Sequence, residues 1–239
     1  MRNVLAIMKR ELRAYFDAPV AYIVLVAFLV VAGWMLFSQV FLIDRADVRG
    51  LFAPSPFSPS LLLVILAPAV TMRLVAEERK TGTIELLTTL PVTDTQVILG
   101  KYLAALGLLT IALLATLAYP ITISFLGPLD WGPVLAGYVG LILFAAALLA
   151  IGVFCSTLTD NQIVAFIVAF ILCAALYFVF WLQILLPQSL GAILEYASVS
   201  FHLDNMARGV IDTRDIVYYL SLVIAALFLS VQSLSRRHA

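Results

Sequence analysis

The stretch Pro68–Tyr102, PAVTMRLVAEERKTGTIELLTTLPVTDTQVILGKY, decides the fold of this chain. It is the one long polar interruption between apolar segments, with Leu61–Thr71 before it and Leu103–Leu126 after it. Such apolar segments are typical of helices that cross a membrane, because lipid cannot hydrogen-bond to an exposed backbone. The stretch is therefore predicted to connect two membrane-spanning helices outside the bilayer.

Turn and capping residues predict the helix boundaries within this stretch. Gly82 suits the end of the first helix, and a short helix of about two turns is predicted at Thr83–Leu90, ended by Pro91. Thr93 and Gln96 form a capping box, so the next long helix should start directly after Thr93, near 94. A short amphipathic helix between two spans is suited to pressing on a soluble partner. Its apolar face comprises Leu86, Leu87 and Leu90.

The run MRLVAEERKTGTIELLTTLPVTDTQVILGK, at Met72–Lys101, resembles the signature of ABC-2 type permeases, the membrane halves of ATP-driven transporters. Within them it is most similar to the gliding-motility-associated permeases and the nitrous-oxide-reductase maturation permeases. Two further stretches carry the resemblance, TLTDNQIVA at Thr157–Ala165 and GVIDTRDIVYYLS at Gly209–Ser221. The resemblance implies an all-α membrane protein with six transmembrane helices, similar to type V exporters. It also implies an N-terminal elbow helix, a cytoplasmic coupling helix between spans 2 and 3, and short re-entrant helices between spans 5 and 6.

Partners follow from the same resemblance. In that family the segment between spans 2 and 3 contacts the nucleotide-binding ATPase subunit, which would bind ATP and Mg²⁺, while this chain would bind no cofactor or metal. A second permease half, either another copy or a paralogue, and an extracytoplasmic accessory protein are also implied. The alternative for the segment Glu77–Pro91 is an ordinary charged loop between two spans. Carried over to this sequence, the ATPase contacts are Glu77, Glu78, Arg79, Lys80, Thr81, Gly82, Thr83, Glu85, Leu86, Leu87, Leu90 and Pro91.

Composition places the chain among membrane proteins. Of its 239 residues, 64% are hydrophobic and 12% are charged, whereas soluble domains carry about 25% charged residues. The length accommodates about six spans of ~20 residues and leaves no room for a soluble catalytic domain. The 14 basic and 14 acidic residues balance. Without a basic cluster, the sequence predicts no nucleic-acid partner.

The apolar runs predict one transmembrane permease domain over 1–239. Pro68 should kink the second span, and Thr159 with Gln162 predicts a second capping box, so the fifth helix should begin near Asp160. The spans are placed at about 20–43, 60–80, 94–126, 131–156, 160–187 and 216–234. The connections are a coupling segment at 81–92 and, at 188–215, two short amphipathic helices that enter the outer membrane face.

Residues 1–18 are predicted to form an amphipathic elbow helix. A basic amphipathic helix directly before a span lies in the membrane interface with its apolar side in lipid, so membrane lipids are expected contacts. Pro19 then turns the chain into the membrane. The apolar stripe comprises Leu5, Met8, Leu12, Tyr15 and Phe16, and the interfacial bases are Lys9, Arg10 and Arg13.

The basic residues predict the orientation, because cytoplasmic loops of membrane proteins carry an excess of Lys and Arg. Ten of the 14 lie in the N-terminal segment, the central stretch and the tail, and four lie in the alternate connections. Together with the resemblance, this predicts a multi-pass protein of the bacterial cytoplasmic (inner) membrane with both termini in the cytoplasm. The four on the opposite side are Arg45, Arg49, Arg208 and Arg214.

Sequence motifs for catalysis are missing. The chain has no GxxxxGK[ST] phosphate loop and no Ser-His-Asp or Cys-His set, so it is not expected to be an enzyme. Both histidines, His202 and His238, are expected to be solvated or interfacial. The predicted spans carry charged residues only near their ends and have no Asp, Glu, Lys or Arg in their central parts; the charged residues within the span bounds are Arg73, Glu77, Glu78, Arg79, Lys80, Asp94, Lys101 and Asp160. Ion-coupled carriers need such groups within the membrane, so the energy is expected to come from an ATPase partner.

Two functions remain open at this point. The first is a permease subunit that couples ATP hydrolysis by a separate subunit to the export or translocation of a substrate. The second is a mechanical transmitter, driven by the same ATPase, that acts on extracytoplasmic proteins with little or no transport. Polar residues of the spans can line a substrate path or join helices by hydrogen bonds. For these residues we favour hydrogen bonding between helices, which does not decide between the two functions. They are Tyr119, Thr122, Tyr177 and Gln183.

Overall fold

The computed structural model describes residues 2–43, 48–55, 58–82, 92–182 and 188–236, and every regular element among them is an α-helix. The helices are α1 (Arg2–Asp17), α2 (Pro19–Ile43), α3 (Arg49–Phe52), α4 (Pro59–Thr71), α5 (Arg73–Lys80), α6 (Asp94–Ala115), α7 (Ala118–Ser124), α8 (Trp131–Leu158), α9 (Gln162–Leu182), α10 (Gln188–Ala197), α11 (Val199–Ala207) and α12 (Thr213–Ser235).

Six stretches of these helices are long and apolar enough to cross a membrane. This confirms the all-α fold class with six candidate spans. The spans are Ala21–Ser38, Pro59–Lys80, Asp94–Ser124, Trp131–Leu158, Gln162–Leu182 and Thr213–Ser235.

Helix α8 forms the centre of the bundle. It is the most buried of the six spans, whereas α2, α9 and α12 expose most of their apolar surface. Small residues let neighbours approach α8 closely: a Cβ atom added to Gly140 would lie 2.9 Å from the Cβ atom of Met206 on α11. The exposed apolar faces of the outer helices suit contact with lipid, since lipid chains are as apolar as these side chains.

Two of the spans are interrupted near a proline. The second span changes from α4 to α5 at Met72, four residues after Pro68, where a kink was predicted. The third span was predicted to be continuous, but it breaks between α6 and α7 just before Pro120. Proline has no backbone N–H, so the helical hydrogen bond at that position is lost. The Thr116 hydroxyl stabilises the second break, because it hydrogen-bonds the Leu113 carbonyl at 2.6 Å and the Tyr138 hydroxyl at 2.9 Å.

The apolar side of α1 contacts the bundle rather than lipid, which corrects the sequence-based expectation. Tyr15 is buried, and Met8, Leu12 and Phe16 pack against the hydrophobic core, while Leu5 stays exposed. A lipid-facing stripe and a protein-facing stripe look alike in sequence because both are apolar. The physical reason for the packing is a close approach between α1 and the start of α6.

Gly100 of α6 allows this approach. A Cβ atom there would lie 2.7 Å from the Cβ atom of Ile7 on α1, too close for any side chain without a shift. The Asn3 side-chain amide also donates to the Gln96 side chain at 3.1 Å. The first helix is therefore held along the N-terminal half of α6.

The start of α9 differs from the prediction as well. The helix begins at Gln162, and the side chain of Asn161 caps it by accepting a hydrogen bond from the Ile163 amide at 2.9 Å. Thr159 instead accepts from the Asn161 amide at 3.2 Å, so it shapes the preceding turn. The predicted capping box at Thr159 is therefore wrong. Asn is among the most favourable N-cap residues, which explains why it takes this role.

The bundle has two ends of different character. The charged end contains α1, the end of α5, the start of α6 and the ends of α8 and α12, which are joined by bonds such as Ser235 to Asp94 at 2.8 Å. The opposite end contains α3 and α11, which pack against α8, and α10, which packs against α9 and α11. This arrangement places the residues on either side of the predicted coupling segment at the charged end.

Candidate functional site

A buried lysine lies at the centre of the charged end. Lys101 of α6 has a side chain that is only 2% exposed, and its Nζ atom contacts Glu78 of α5 at 2.7 Å and Glu11 of α1 at 3.3 Å. A buried charge is costly unless it is paired. The two carboxylates therefore provide what Lys101 needs, and they join three helices through one side chain.

Arg10 completes a ring of alternating charges. Its guanidinium contacts Glu11 at 2.6 Å and Glu78 at 3.7 Å, and its side chain is 55% exposed. We call Arg10, Glu11, Glu78 and Lys101 the charge ring. Two positive and two negative groups make the ring neutral, so it has no net charge to bury.

The charge ring also sets the protonation of its α1 members. Burial raises the pKa of Glu11, but the positive charges of Lys101 and Arg10 outweigh this effect, and the pKa is lowered overall. The hydrogen bond to Glu11 raises the pKa of Arg10 in turn. Both groups are therefore charged at neutral pH.

A cavity of about 280 Å³ adjoins the ring, and Glu11, Glu78 and Lys101 contribute to its wall. Arg73 lies over the ring of Tyr15, 5.0 Å from its centroid, and the Tyr15 hydroxyl donates to the Val70 carbonyl at 3.0 Å. Desolvation raises the pKa of Tyr15, so its hydroxyl stays a hydrogen-bond donor. Tyr15 therefore holds α1 against α4 beside the cavity. The remaining wall residues are Ala14, Leu74 and Glu77.

Helix α5 is attached to the central helix through Ser156. The Ser156 hydroxyl of α8 accepts from the amides of Val75 and Ala76 at 3.2 and 3.1 Å, and it donates to the Met72 carbonyl at 3.0 Å. The first amides of a helix lack intrahelical partners. Because α5 starts afresh after the break at Met72, a side chain from another helix caps it.

Arg79 makes a second attachment between α5 and α8. Its side chain is only 8% exposed, donates to the Thr157 carbonyl, and lies 3.8 Å from Asp160. The Thr157 carbonyl also accepts from Ser233 of α12 at 3.3 Å. The end of α5 is thus tied to α8, to the loop that follows it, and indirectly to α12.

The predicted ATPase contacts divide into two groups. Glu78 and Arg79 are occupied in contacts within the protein, while Glu77, Lys80, Thr81 and Gly82 are exposed. Gly82 has φ +70°, the left-handed conformation typical of a glycine that ends a helix, and nothing lies within 4 Å of a Cβ atom there. The contacts that lie outside the described residues are Thr83, Glu85, Leu86, Leu87, Leu90 and Pro91.

The helix after the coupling segment begins as predicted. Thr93 accepts from the Gln96 amide at 3.3 Å, and the Gln96 side chain accepts from the Thr93 amide at 3.4 Å. This confirms the capping box and gives α6 a fixed start at Asp94.

The exposed bases Lys9, Arg10 and Arg13 line a separate surface cavity of about 560 Å³ along α1.

The opposite end contains a buried, hydrogen-bonded histidine–aspartate pair that the sequence did not reveal. His202 of α11, expected to be solvated or interfacial, is completely buried, and this expectation is wrong. Its Nδ1 atom lies 2.6 Å from Asp215 of α12, and its Nε2 atom lies 3.0 Å from the Tyr196 carbonyl. Tyr218 stacks on the imidazole with ring centroids 3.9 Å apart. His238 lies outside the described residues.

Hydroxyl groups form a second buried cluster at the opposite end. Tyr177 bonds to Ser58 at 3.3 Å, to Ser60 at 3.0 Å and to the Ser55 carbonyl at 3.0 Å. Tyr119 donates to the Leu29 carbonyl of α2 at 2.6 Å. These two tyrosines therefore join helices, as favoured from the sequence, whereas Thr122 bonds within its own helix and Gln183 lies outside the described residues.

The fold and this site define a multi-pass α-helical membrane protein whose second and third spans are tied together by charge at one end. Among the described residues, no group of His, Cys, Asp and Glu has an arrangement that could hold a metal ion. Residues 5–200 match the family described as ABC-2 family transporter protein. The chain belongs to this family and is therefore a membrane permease component of an ABC transporter. No curated protein matches the chain.

Proposed function

We propose that this chain is the permease subunit that couples ATP hydrolysis by a separate nucleotide-binding subunit to the export or translocation of a substrate. In this proposal Glu77–Pro91 contacts the ATPase, which binds ATP and Mg²⁺. Helix α5 conveys the movement of that contact to the membrane spans. The residues of α5 that face the protein then act as an anchor, and its exposed end acts as the contact.

The attachment of α5 carries the proposal. Three of its residues, Val75, Ala76 and Arg79, bond to α8, the most buried span, and Glu78 bonds to α6. The chain then continues into 83–91 and returns at the capped start of α6. Movement of that segment would thus reach two spans through fixed contacts, which is the physical requirement for coupling between sites.

Co-purification of the ATPase with two alanine variants tests the proposed contact. Leu87→Ala removes an apolar anchor whose burial is worth about 1–3 kcal/mol, while Lys80→Ala removes an exposed charge that mainly affects association rates. We expect Leu87→Ala to recover less ATPase than Lys80→Ala at matched membrane abundance. Recovery of wild-type amounts by both variants would contradict a contact through this segment.

We further propose that the charged end lies in the cytoplasm of a bacterium and that both termini are on that side of the inner membrane. The excess of basic residues at this end supports the orientation. A cysteine at Thr213 should react with an impermeant thiol reagent in intact cells, and one at Thr81 should not. Both positions are exposed in the folded chain itself, so packing within this chain cannot explain a difference. Labelling of Thr81→Cys from outside would reverse the orientation.

The working unit in this proposal has two permease halves and two ATPase subunits. Six candidate spans provide half of a membrane domain, and the exposed faces of α2, α9 and α12 offer surface for a second half. The resemblance to gliding-motility-associated and nitrous-oxide-reductase maturation permeases supports an additional extracytoplasmic accessory protein. Mass determination of the active complex tests this stoichiometry, and one permease copy per complex would refute it.

Mechanical transmission to an extracytoplasmic partner is the second candidate function. Helix α12 favours it, because Ser235 bonds to Asp94 at the charged end and Asp215 bonds to His202 at the opposite end. One span thus touches both the coupling region and the short helices that would face an accessory protein. A complex that hydrolyses ATP only with its accessory protein, and moves no solute in vesicles, would favour transmission over transport.

A further inference from the structure

The four contacts of the charge ring are unequal in a systematic way. Two contacts are short. Lys101 to Glu78, at 2.7 Å, joins α6 to α5, and Arg10 to Glu11, at 2.6 Å, lies within α1. The two long ones, Lys101 to Glu11 at 3.3 Å and Arg10 to Glu78 at 3.7 Å, are those that cross to α1. In this arrangement, the ring binds α5 to α6 more tightly than it binds α1 to either of them.

The same four groups have a second complete pairing. If Lys101 moves to Glu11 and Arg10 moves to Glu78, each charge keeps one close partner, and both contacts then join α1 to its neighbours. The ring stays neutral in both pairings, so the exchange leaves no unpaired buried charge, which is the costly event in such clusters. The adjoining cavity of about 280 Å³ provides space for the side chains to move.

We infer that the charge ring is a two-state junction that exchanges ion-pair partners when nucleotide binds to the ATPase, and so attaches α1 to the α5–α6 unit. This rests on the proposed function, because α5 leads to the segment that would contact the ATPase. Glu78 is the residue that α5 contributes to the ring. A shift of α5 by the difference between the short and long contacts is sufficient to favour one pairing over the other. Arg10 is then a positioning residue, because it pairs with Glu78 when Glu78 separates from Lys101.

Double-mutant cycles in two nucleotide states test this inference. The sample is the purified permease–ATPase complex, either without nucleotide or with a non-hydrolysable ATP analogue and Mg²⁺, and the readout is its melting temperature. Arg10→Gln, Glu78→Gln and the double variant report the interaction between these two residues as non-additivity. We expect a small non-additivity without nucleotide, because the contact is already present at 3.7 Å, and a non-additivity larger by about 2 °C with the analogue. In the cycle of Lys101→Met with Glu78→Gln, the non-additivity should be larger without nucleotide than with the analogue.

Arg13 provides the matched control. It is an exposed arginine on the same helix with no ion pair among the described residues, so Arg13→Gln with Glu78→Gln should be additive in both states. Arg10→Lys keeps the cation and should keep the nucleotide-dependent interaction. A purely structural ring would give the same non-additivity with and without nucleotide, and this result would overturn the inference.

The experiment separates this inference from the proposed function on which it rests. Failure of the ATPase to bind at all would refute both. Only the exchange would be refuted if the complex forms and hydrolyses ATP but the Arg10–Glu78 non-additivity is the same with and without nucleotide. If Lys101→Met does not fold, the cycle between Arg10 and Glu78 still decides, because Arg10 is half exposed and its loss leaves Lys101 paired with both carboxylates.

Discussion

The two ends of the bundle each contain ionisable groups, but they differ in enclosure and in the number of partners. At the charged end, each member of the charge ring has two oppositely charged neighbours, and side-chain exposure ranges from 2% for Lys101 to 55% for Arg10. At the opposite end, His202 and Asp215 are 1% and 3% exposed, and among the described residues each has the other as its only ionisable hydrogen-bond partner. Aromatic rings from Tyr196, Tyr218 and Tyr219 surround the imidazole.

This difference distinguishes a junction that can rearrange from one that cannot. A group with two partners can leave one and keep the other, whereas a group with one buried partner loses its compensation entirely. Among the described residues, His202 and Asp215 offer each other no alternative ionisable partner, so their contact joins α11 to α12 in one arrangement. The charge ring offers each of its members a second oppositely charged partner, which is what the proposed exchange requires. Mutations at the two ends should accordingly have different consequences.

The largest effect is expected for His202→Ala. It removes the only ionisable hydrogen-bond partner that Asp215 has among the described residues, and the Oδ2 atom of Asp215 is already buried without a hydrogen bond. Loss of one member of a buried pair costs about 3–5 kcal/mol, so the variant should show a much lower melting temperature and reduced membrane abundance. Glu11→Gln at the charged end should cost far less, because Lys101 keeps Glu78. Equal losses for the two variants would break the comparison.

The next largest effect is expected for Tyr177→Phe. It leaves the hydroxyls of Ser58 and Ser60 and the Ser55 carbonyl short of one partner inside the protein. Unsatisfied buried polar groups cost about 1–3 kcal/mol. Tyr22→Phe is the matched control, because Tyr22 is 56% exposed and lies on the outer face of α2. Tyr177→Phe should lower the melting temperature more than Tyr22→Phe does. An unchanged melting temperature for Tyr177→Phe would mean that Ser58 and Ser60 satisfy their hydrogen bonds without the Tyr177 hydroxyl.

Gly82→Val should affect coupling more than stability. Gly82 has φ +70°, which a β-branched residue adopts at a cost of about 1–3 kcal/mol, although no atom lies near enough to clash. The variant should assemble with the ATPase but hydrolyse ATP without supporting function, because the direction of the following segment changes. Gly82→Asn should retain coupling, since Asn tolerates this conformation. Loss of function in both variants would point to the identity of glycine rather than to its φ.

Hydropathy and capping residues predict most of the fold, and long-range packing accounts for what they miss. The six spans, the capping box at Thr93 and the helix end at Gly82 all follow from residues within one or two helical turns. The charge ring does not, because Glu11 and Lys101 are 90 residues apart. Their meeting requires α1 to lie along α6, and an apolar stripe cannot indicate whether protein or lipid covers it.

The pair at the opposite end escaped prediction for a related reason. His202 and Asp215 are separated by 13 residues that include a turn at Gly209, where φ is +91°. Helical periodicity does not extend across such a turn, so no pattern relates the two side chains. The sequence therefore predicts a solvated or interfacial histidine in the outer connection at 188–215, although its partner lies at the start of the next span.

The smallest effect is expected for Glu11→Gln, and its pH dependence sharpens the contrast between the two ends. Burial raises the pKa of Glu11, but Lys101 and Arg10 lower it further, so the net pKa lies below the ordinary value for glutamate. A carboxylate with a lowered pKa stabilises the folded state fully above its unfolded pKa, about 4.3, and this contribution is lost as pH falls through the lower folded value. Wild type should therefore melt higher than Glu11→Gln by a constant amount at neutral and mildly acidic pH. The difference should begin to shrink below about pH 4 and vanish only when the pH is below the lowered folded pKa. Glu77→Gln is the control, because Glu77 is exposed and forms no ion pair among the described residues, and it should match wild type throughout. A Glu11→Gln deficit that persists in strong acid would show that the residue acts through packing, and would remove the electrostatic basis for treating this end as a junction of exchangeable charges.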